Sequence, residues 1–261
     1  MKIPLYVVDA FTRRLFGGNP AAVCPLDEWP RAELMQQLAR ENNLSETAFF
    51  VRSGDSHYDL RWFTPTVEMD LCGHATLASA YVIFTRLDAS ATRLTFETRS
   101  GALTVTREGE LLAMDFPSRP PTPCDAPAEL LRGLGARPRE VLRSRDYLVR
   151  YGTEAEVRSL NPDFRLLSRL DCIGIIATAE GREADFVSRF FAPAAGVDED
   201  PVTGSAHCTL VPYWSEQLGK TRLRALQVSE RGGELLCEQR GERVALSGHA
   251  VLYSEGFIHL P

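Results

Sequence analysis

The sequence predicts an α+β protein of two similar lobes, each a curved sheet of short strands wrapped around a buried apolar helix. Three observations carry this. A motif occurs twice, about half the chain apart: Arg61-Trp62-Phe63-Thr64-Pro65 leading to Gly73-His74-Ala75, and Arg189-Phe190-Phe191-Ala192-Pro193 leading to Gly204-Ser205-Ala206. Residues 75–84, after the first of these glycines, are apolar almost all the way round, as in helices buried on every side. Short runs of strand-forming residues punctuated by turn residues fill much of the remainder. Two half-chains that each present a polar residue just after a glycine suggest two lobes facing one cleft.

The elements follow in order. Residues 3–8 and 21–26 read as strands joined by the turn Gly17-Gly18-Asn19-Pro20. Trp29-Pro30 introduces an amphipathic helix with Leu34, Met35, Leu38 and Ala39 at helical spacing, which Asn42-Asn43 can end because asparagine tolerates the left-handed cap. Strands are expected at 44–51 and 57–63, then the apolar helix, then strands at 93–98, 102–106 and 111–116. Five prolines within 117–127 interrupt any helix or central strand and set the lobe boundary there. The lobes are therefore 1–118 and 119–249, with the strand at about 250–261 a candidate to return to the first. The second lobe should hold strands at 147–151, 172–178 and 186–191. It should also hold a helix after Gly204 that Pro212 either kinks or delays.

Bulk properties exclude several classes. An apolar fraction of 44% with 25% charged residues suits a globular core, and a net charge of −6 without a Lys/Arg cluster argues against a nucleic-acid binder. Residues 143–145 read as a solvated face. No run reaches the roughly 20 apolar residues of a membrane span, and the opening residues turn acidic too soon for a signal peptide. Six scattered cysteines without CxxC pairs read as reduced thiols. A soluble cytoplasmic protein is expected. Dinucleotide, P-loop, zinc-protease and esterase motifs are missing from the sequence.

Glycine turns that lead into helices leave backbone N–H groups and the positive end of the helix dipole available to an anion. Gly73 and Gly204 are thus candidates to hold a substrate carboxylate, the competing reading being plain helix-entry turns without a ligand. Glu46 shares a strand face with Leu44, Ala48 and Phe50, where desolvation would raise its pKa and suit it to acid/base chemistry. The competing reading is an edge-strand glutamate in water. His74 can move protons near neutrality or serve as a structural hydrogen-bonder. Asp200 can orient a substrate polar group or lie in a solvated acidic loop, and Ser205 can contact substrate or cap its helix. Cys72-Gly73-His74 and His207-Cys208 lack structural-zinc spacing, so no metal is expected.

Taken together, several motifs resemble one family in order and spacing. They are Asp9-Ala10-Phe11-Thr12 with Gly17-Gly18-Asn19-Pro20, Asn43-Leu44-Ser45-Glu46-Thr47-Ala48-Phe49, Phe63-Thr64-Pro65 leading to Cys72-Gly73-His74-Ala75-Thr76, and Asp200-Pro201-Val202-Thr203-Gly204-Ser205-Ala206-His207. The chain resembles the PhzF-like (phenazine-biosynthesis-like) family over most of its length. The resemblance implies the diaminopimelate-epimerase-like fold: two pseudo-symmetric lobes, each a curved sheet or barrel around a central helix, with the active site between. It implies Glu46 as the general acid/base. His74, Asp200 and Ser205 fall in the substrate pocket, amides near Gly73 and Gly204 on a substrate carboxylate, and Asn19 at the border. It also implies homodimers without cofactor or metal, and isomerisation of a small carboxylate resembling trans-2,3-dihydro-3-hydroxyanthranilate by proton transfer.

Two rival functions carry weight. A cysteine-dependent epimerase needs a thiol from each lobe; Cys72 stands where one would, but the residues before Gly204 hold no sulfur and Cys208 comes too late. On that reading Cys72 is a packed small hydrophobe. A non-catalytic binding protein on the same fold is the other rival, though a pure binder has no need of Glu46.

Overall fold

The computed structural model describes residues 2–260 and divides into two compact units, Met1–Asp115 with Ser247–Pro261, and Phe116–Leu246. The first unit contains β1 (Lys2–Ala10), β2 (Asn19–Leu26), α1 (Ala32–Asn42), β3 (Glu46–Gly54), β4 (His57–Phe63), a short β5 (Glu68–Met69), α2 (Gly73–Val82), β6 (Arg93–Thr98), β7 (Gly101–Glu108) and β8 (Leu111–Pro117). The second contains β9 (Thr122–Pro123), α3 (Ala128–Leu134), β10 (Glu140–Arg143), β11 (Tyr147–Arg150), α4 (Glu154–Ser159), α5 (Phe164–Leu167), β12 (Ile175–Glu180), β13 (Phe186–Ala192), β14 (Val197–Asp200), α6 (Gly204–Leu218), β15 (Arg222–Gln227), β16 (Gly233–Arg240) and β17 (Arg243–Gly248). The chain closes with β18 (Ala250–His259), which pairs antiparallel with β1 in the first unit.

Each unit repeats one succession of pairings. In the first, β1–β2 is antiparallel, β2–β3 parallel, β3–β4 antiparallel, β4–β6 parallel and β6–β7 antiparallel. In the second, β10–β11, β11–β12, β12–β13, β13–β15 and β15–β16 follow the same alternation. A parallel pair needs a crossover. Helices supply it at each: α1 and α2 in the first unit, α4 with α5 and then α6 in the second.

The repeated sequence motif has a structural cause. Arg61 on β4 makes a two-toothed pair with Glu68 on β5, at 2.7 and 2.9 Å, and its guanidinium lies 5.3 Å from the Phe63 ring centre. Arg189 on β13 does the same with Glu199 on β14, at 2.7 and 2.8 Å, and lies 4.9 Å from Phe191. Each arginine pins a short hairpin that delivers the chain to a helix start, and bidentate geometry makes the pin directional. In both copies the glutamate stands five residues before the glycine that opens the helix.

The apolar helix is buried as expected: Gly73 to Ala80 and Val82 are all inside, and α2 packs on β1, β2, β3 and β18. Its polar side chains satisfy themselves on the preceding turn, Thr76 Oγ1 donating to Cys72 O at 2.6 Å and Ser79 Oγ to Ala75 O at 2.8 Å. Asn43 takes the left-handed cap that ends α1, with φ 48°.

Some expectations need correction. β3 begins at Glu46, not Leu44, and β12 at Ile175, not Cys172. α6 is not delayed by Pro212: it starts at Gly204 and runs through the proline to Leu218. A proline cannot donate to the carbonyl four residues back, which here is Cys208 O. That carbonyl instead accepts the Arg119 N–H at 2.8 Å, so the orphaned acceptor is paired from outside the helix. Among the described residues no helix is long and apolar enough to cross a membrane.

Candidate active site

The first unit brings four side chains together through backbone register. Asn19 opens β2, Glu46 opens β3 two residues further along the parallel ladder, opposite Ala21, and His74 is the second residue of α2, just after Cys72 at its N-cap. Gly18 sets the entry to β2. Its φ of +65° is left-handed, and a Cβ there would lie 2.1 Å from Ala10 O, so no other residue fits without moving β1.

His74 is the hub. Its Nε2 lies 3.0 Å from Glu46 Oε2, the side chains being 5% and 14% exposed. Both atoms are buried, at a separation that an ion pair spans when the ring is protonated. Asn19 Nδ2 lies 3.1 Å from His74 Nδ1, and Cys72 Sγ 3.6 Å from the same nitrogen. The Asn19 amide donates to a neutral ring as drawn, and turned over it would accept from an imidazolium, so it suits either protonation state. Burial pulls the His74 pKa down, but the adjacent Cys72 and Glu46 outweigh it and carry it well above the ordinary histidine value. Burial, reinforced by Glu46, raises the Cys72 thiol, while His74 works in the opposite sense. Ligand atoms of Glu46, Cys72 and His74 all lie within 4.8 Å of one another.

Glu46 is not the mid-strand residue of an alternating face. It starts the strand, and Thr47, Ala48, Phe49 and Phe50 after it are all buried, so β3 is covered on both sides. The carboxylate sits where the strand emerges, next to the helix start.

In the second unit, Asp200 ends β14 and its Oδ2 accepts from Thr203 Oγ1 at 2.5 Å. Gln227, buried on β15, ties this turn down: its Nε2 donates to Asp200 O at 2.7 Å and its Oε1 accepts from Thr203 N at 2.9 Å. Thr203 is the N-cap of α6 but makes no side-chain cap bond, and Cys72 likewise leaves the first turn of α2 uncapped. The amides at Gly73 and Gly204 thus begin helices of ten and fifteen residues without a capping acceptor. Ser205 Oγ accepts from Arg145 Nη2 at 3.1 Å, and that guanidinium also pairs at 2.7 Å with Asp146, itself buried and bonded to Gly174 N. The Arg143–Arg145 run is therefore not merely a solvated face. Arg145 reaches Ser205, and no local sequence signal marks that contact, because Ser205 lies sixty residues further along the chain.

A carboxylate–imidazole pair stands at a helix start on this repeated fold, and the relatives that the chain matches put it in the isomerase class. A family model described as phenazine biosynthesis-like protein matches residues 8–256. A Pseudomonas aeruginosa protein named as an uncharacterized isomerase is 56% identical over 261 residues, 100% of each chain. The crystal structure of a phenazine biosynthesis protein of the PhzF family from Enterococcus faecalis is similar with a TM-score of 0.97 and 46% identity, covering 100% of both chains. A probable proline racemase from Agrobacterium radiobacter, 12% identical with a TM-score of 0.65 over 99% of this chain and 93% of its own, shares the fold alone. The chain belongs to the phenazine biosynthesis-like (PhzF) family.

Proposed function

We propose that this protein isomerises a small carboxylate-bearing substrate by cofactor-independent proton transfer, with Glu46 as the acid/base. The observation that supports this most directly is the pair Glu46 Oε2 and His74 Nε2, buried, 3.0 Å apart and without other hydrogen-bond partners among the described residues. Two groups able to exchange a proton, held apart from water, are what a carbon acid needs of its base. Glu46 removes a proton from one carbon and returns it to another, the substrate enol then tautomerising. The His74 imidazole steadies the carboxylate when it is charged. Asn19 sets the orientation of His74 and borders the substrate. Asp200 and Ser205 bind substrate polar groups, and the amides at Gly73 and Gly204 hold the carboxylate.

The substrate class is 2,3-dihydro-3-hydroxyanthranilate-like, a reading supported by the family and by Glu46 at the matching position. A homodimer in the cytoplasm belongs to the same reading; light scattering at twice the chain mass would support it. The test of function is incubation with trans-2,3-dihydro-3-hydroxyanthranilate in D2O, followed by NMR. Product carrying deuterium at the receiving carbon is expected. An unchanged substrate would remove this compound and turn the search to other small carboxylates.

A further inference from the structure

The central helices of the two units begin alike. In each, a glycine opens the helix and the next residue carries the polar side chain: His74 on α2, Ser205 on α6. Each side chain is gripped from the matching place in its own unit. β2 and β11 are equivalent strands, antiparallel to the strand before and parallel to the strand after. Asn19, which opens β2, holds His74 Nδ1 at 3.1 Å. Arg145, two residues before β11 begins, donates from Nη2 to Ser205 Oγ at 3.1 Å. The repeat therefore gives Arg145 the post that Asn19 fills in the first unit.

Arg145 is itself held in place. Asp146 is buried, and its Oδ2 accepts from Arg145 Nη2 and Nε at 2.7 and 3.1 Å while its Oδ1 accepts from Gly174 N at 3.1 Å. Such a two-toothed pair fixes the plane of the guanidinium, and with it the direction of the N–H aimed at Ser205.

The serine is unusual for its position. Helical Ser and Thr commonly bond back to the carbonyl four residues earlier, as Thr76 and Ser79 do in α2. The carbonyl four residues before Ser205 is Pro201 O, and it accepts from Ser229 Oγ at 2.8 Å instead. A hydroxyl proton turns to suit the partners of its oxygen. With a guanidinium N–H on that oxygen, the Ser205 proton points away from Arg145, and no described residue accepts it. An N–H given by a charged group also polarises the hydroxyl and makes it a stronger donor.

We propose that Arg145 is a positioning residue that fixes Ser205 as a donor, so that the start of α6 selects an anionic oxygen of the substrate over a neutral amide. This rests on the reading above that Ser205 contacts substrate. Orientation rather than net charge carries the selection, because Asp146 balances the guanidinium.

The experiment measures affinity by calorimetric titration for anthranilate, an aromatic counterpart of the substrate class above, and for its neutral amide, 2-aminobenzamide. Thermal unfolding is run on each sample. The wild type is compared with Arg145→Ala, with Arg145→Ala joined to Asp146→Asn so that no buried charge is left alone, and with Ser205→Ala. The set is completed by the Arg145→Ala/Ser205→Ala double variant and by Arg132→Ala as a surface control. Wild type and Arg132→Ala should favour anthranilate by roughly 10–100-fold, the scale of a hydrogen bond to a charged group. That preference should fall by at least about fivefold in both Arg145 variants, and Arg145→Ala should change little once Ser205 is gone, because the two act as one unit. Full preference in both Arg145 variants, or an equal loss with and without Ser205, overturns the role of Arg145. Loss confined to Ser205→Ala would do the same while leaving Ser205 on the substrate. A wild type without the preference would remove Ser205 from the site as well, and would leave Glu46 to be judged by exchange in D2O.

Discussion

His74 gathers Asn19, Cys72 and Glu46 around one imidazole, and its protonation is the property that most depends on the fold. A histidine whose folded pKa is raised adds stability that is full below its ordinary value of 6.5 and fades as pH climbs through the folded value. Urea unfolding of wild type and His74→Gln across a pH series should show their stability gap narrowing as pH rises. A gap that widens would mean the imidazole is held neutral. Glu46 and His74 were readable as candidates because each sits in a distinctive short motif and can move protons near neutral pH. What was not readable is their 3.0 Å contact, which comes from β3 and α2 meeting, nor the hold of Arg145 on Ser205 across sixty residues of chain.

The helices and the turns that launch them carry the next set of consequences. Ala at Gly18 would need a left-handed backbone and would push into Ala10 O, moving the start of β2 and Asn19 with it. Gly18→Ala should cost at least about 1–2 kcal/mol in thermal or urea unfolding. A neutral result would refute the close approach of β1 and β2 there. Inside α6, His207 is buried and its Nδ1 lies 2.8 Å from Thr203 O, so a neutral ring donates there. Burial lowers its pKa from 6.5 to about 4. A lowered histidine leaves the unfolded chain binding the extra proton, so stability drops as pH falls from 6.5 and levels off below about 4. The loss attributable to His207 is about 3 kcal/mol, read as the difference between wild type and His207→Asn over that range. No pH-dependent difference would contradict the burial. Pro212 was legible as a helix problem but not its solution, since nothing local announces that Arg119 N–H would serve Cys208 O.

Across the molecule, the same succession of parallel and antiparallel pairings builds both units. The sequence repeat exposed this because arginine, aromatics, proline and glycine stand at the joints where a hairpin feeds a helix. The pairing itself was hidden: strands of four to nine residues do not declare their neighbours, and the glutamates that anchor each arginine look like ordinary surface charges. β18 pairs with β1 along the whole of β1, so removing residues 250–261 should strip one edge of that strand. Amide exchange should then rise in β1 and β2 well before it rises in β12 and β13. Equal loss of protection in all four would mean that β18 is not what secures β1.

The proposal that Glu46 carries the proton is tested most directly by measuring two quantities on one pair of samples, wild type and Glu46→Gln. These are the affinity for a substrate or inert carboxylate analogue, and solvent deuterium incorporated into substrate. Glu46→Gln is expected to keep affinity within a few-fold while deuterium incorporation drops by at least about a thousandfold. Equal loss of binding and exchange would contradict the acid/base role, and unchanged exchange would place the base on another residue.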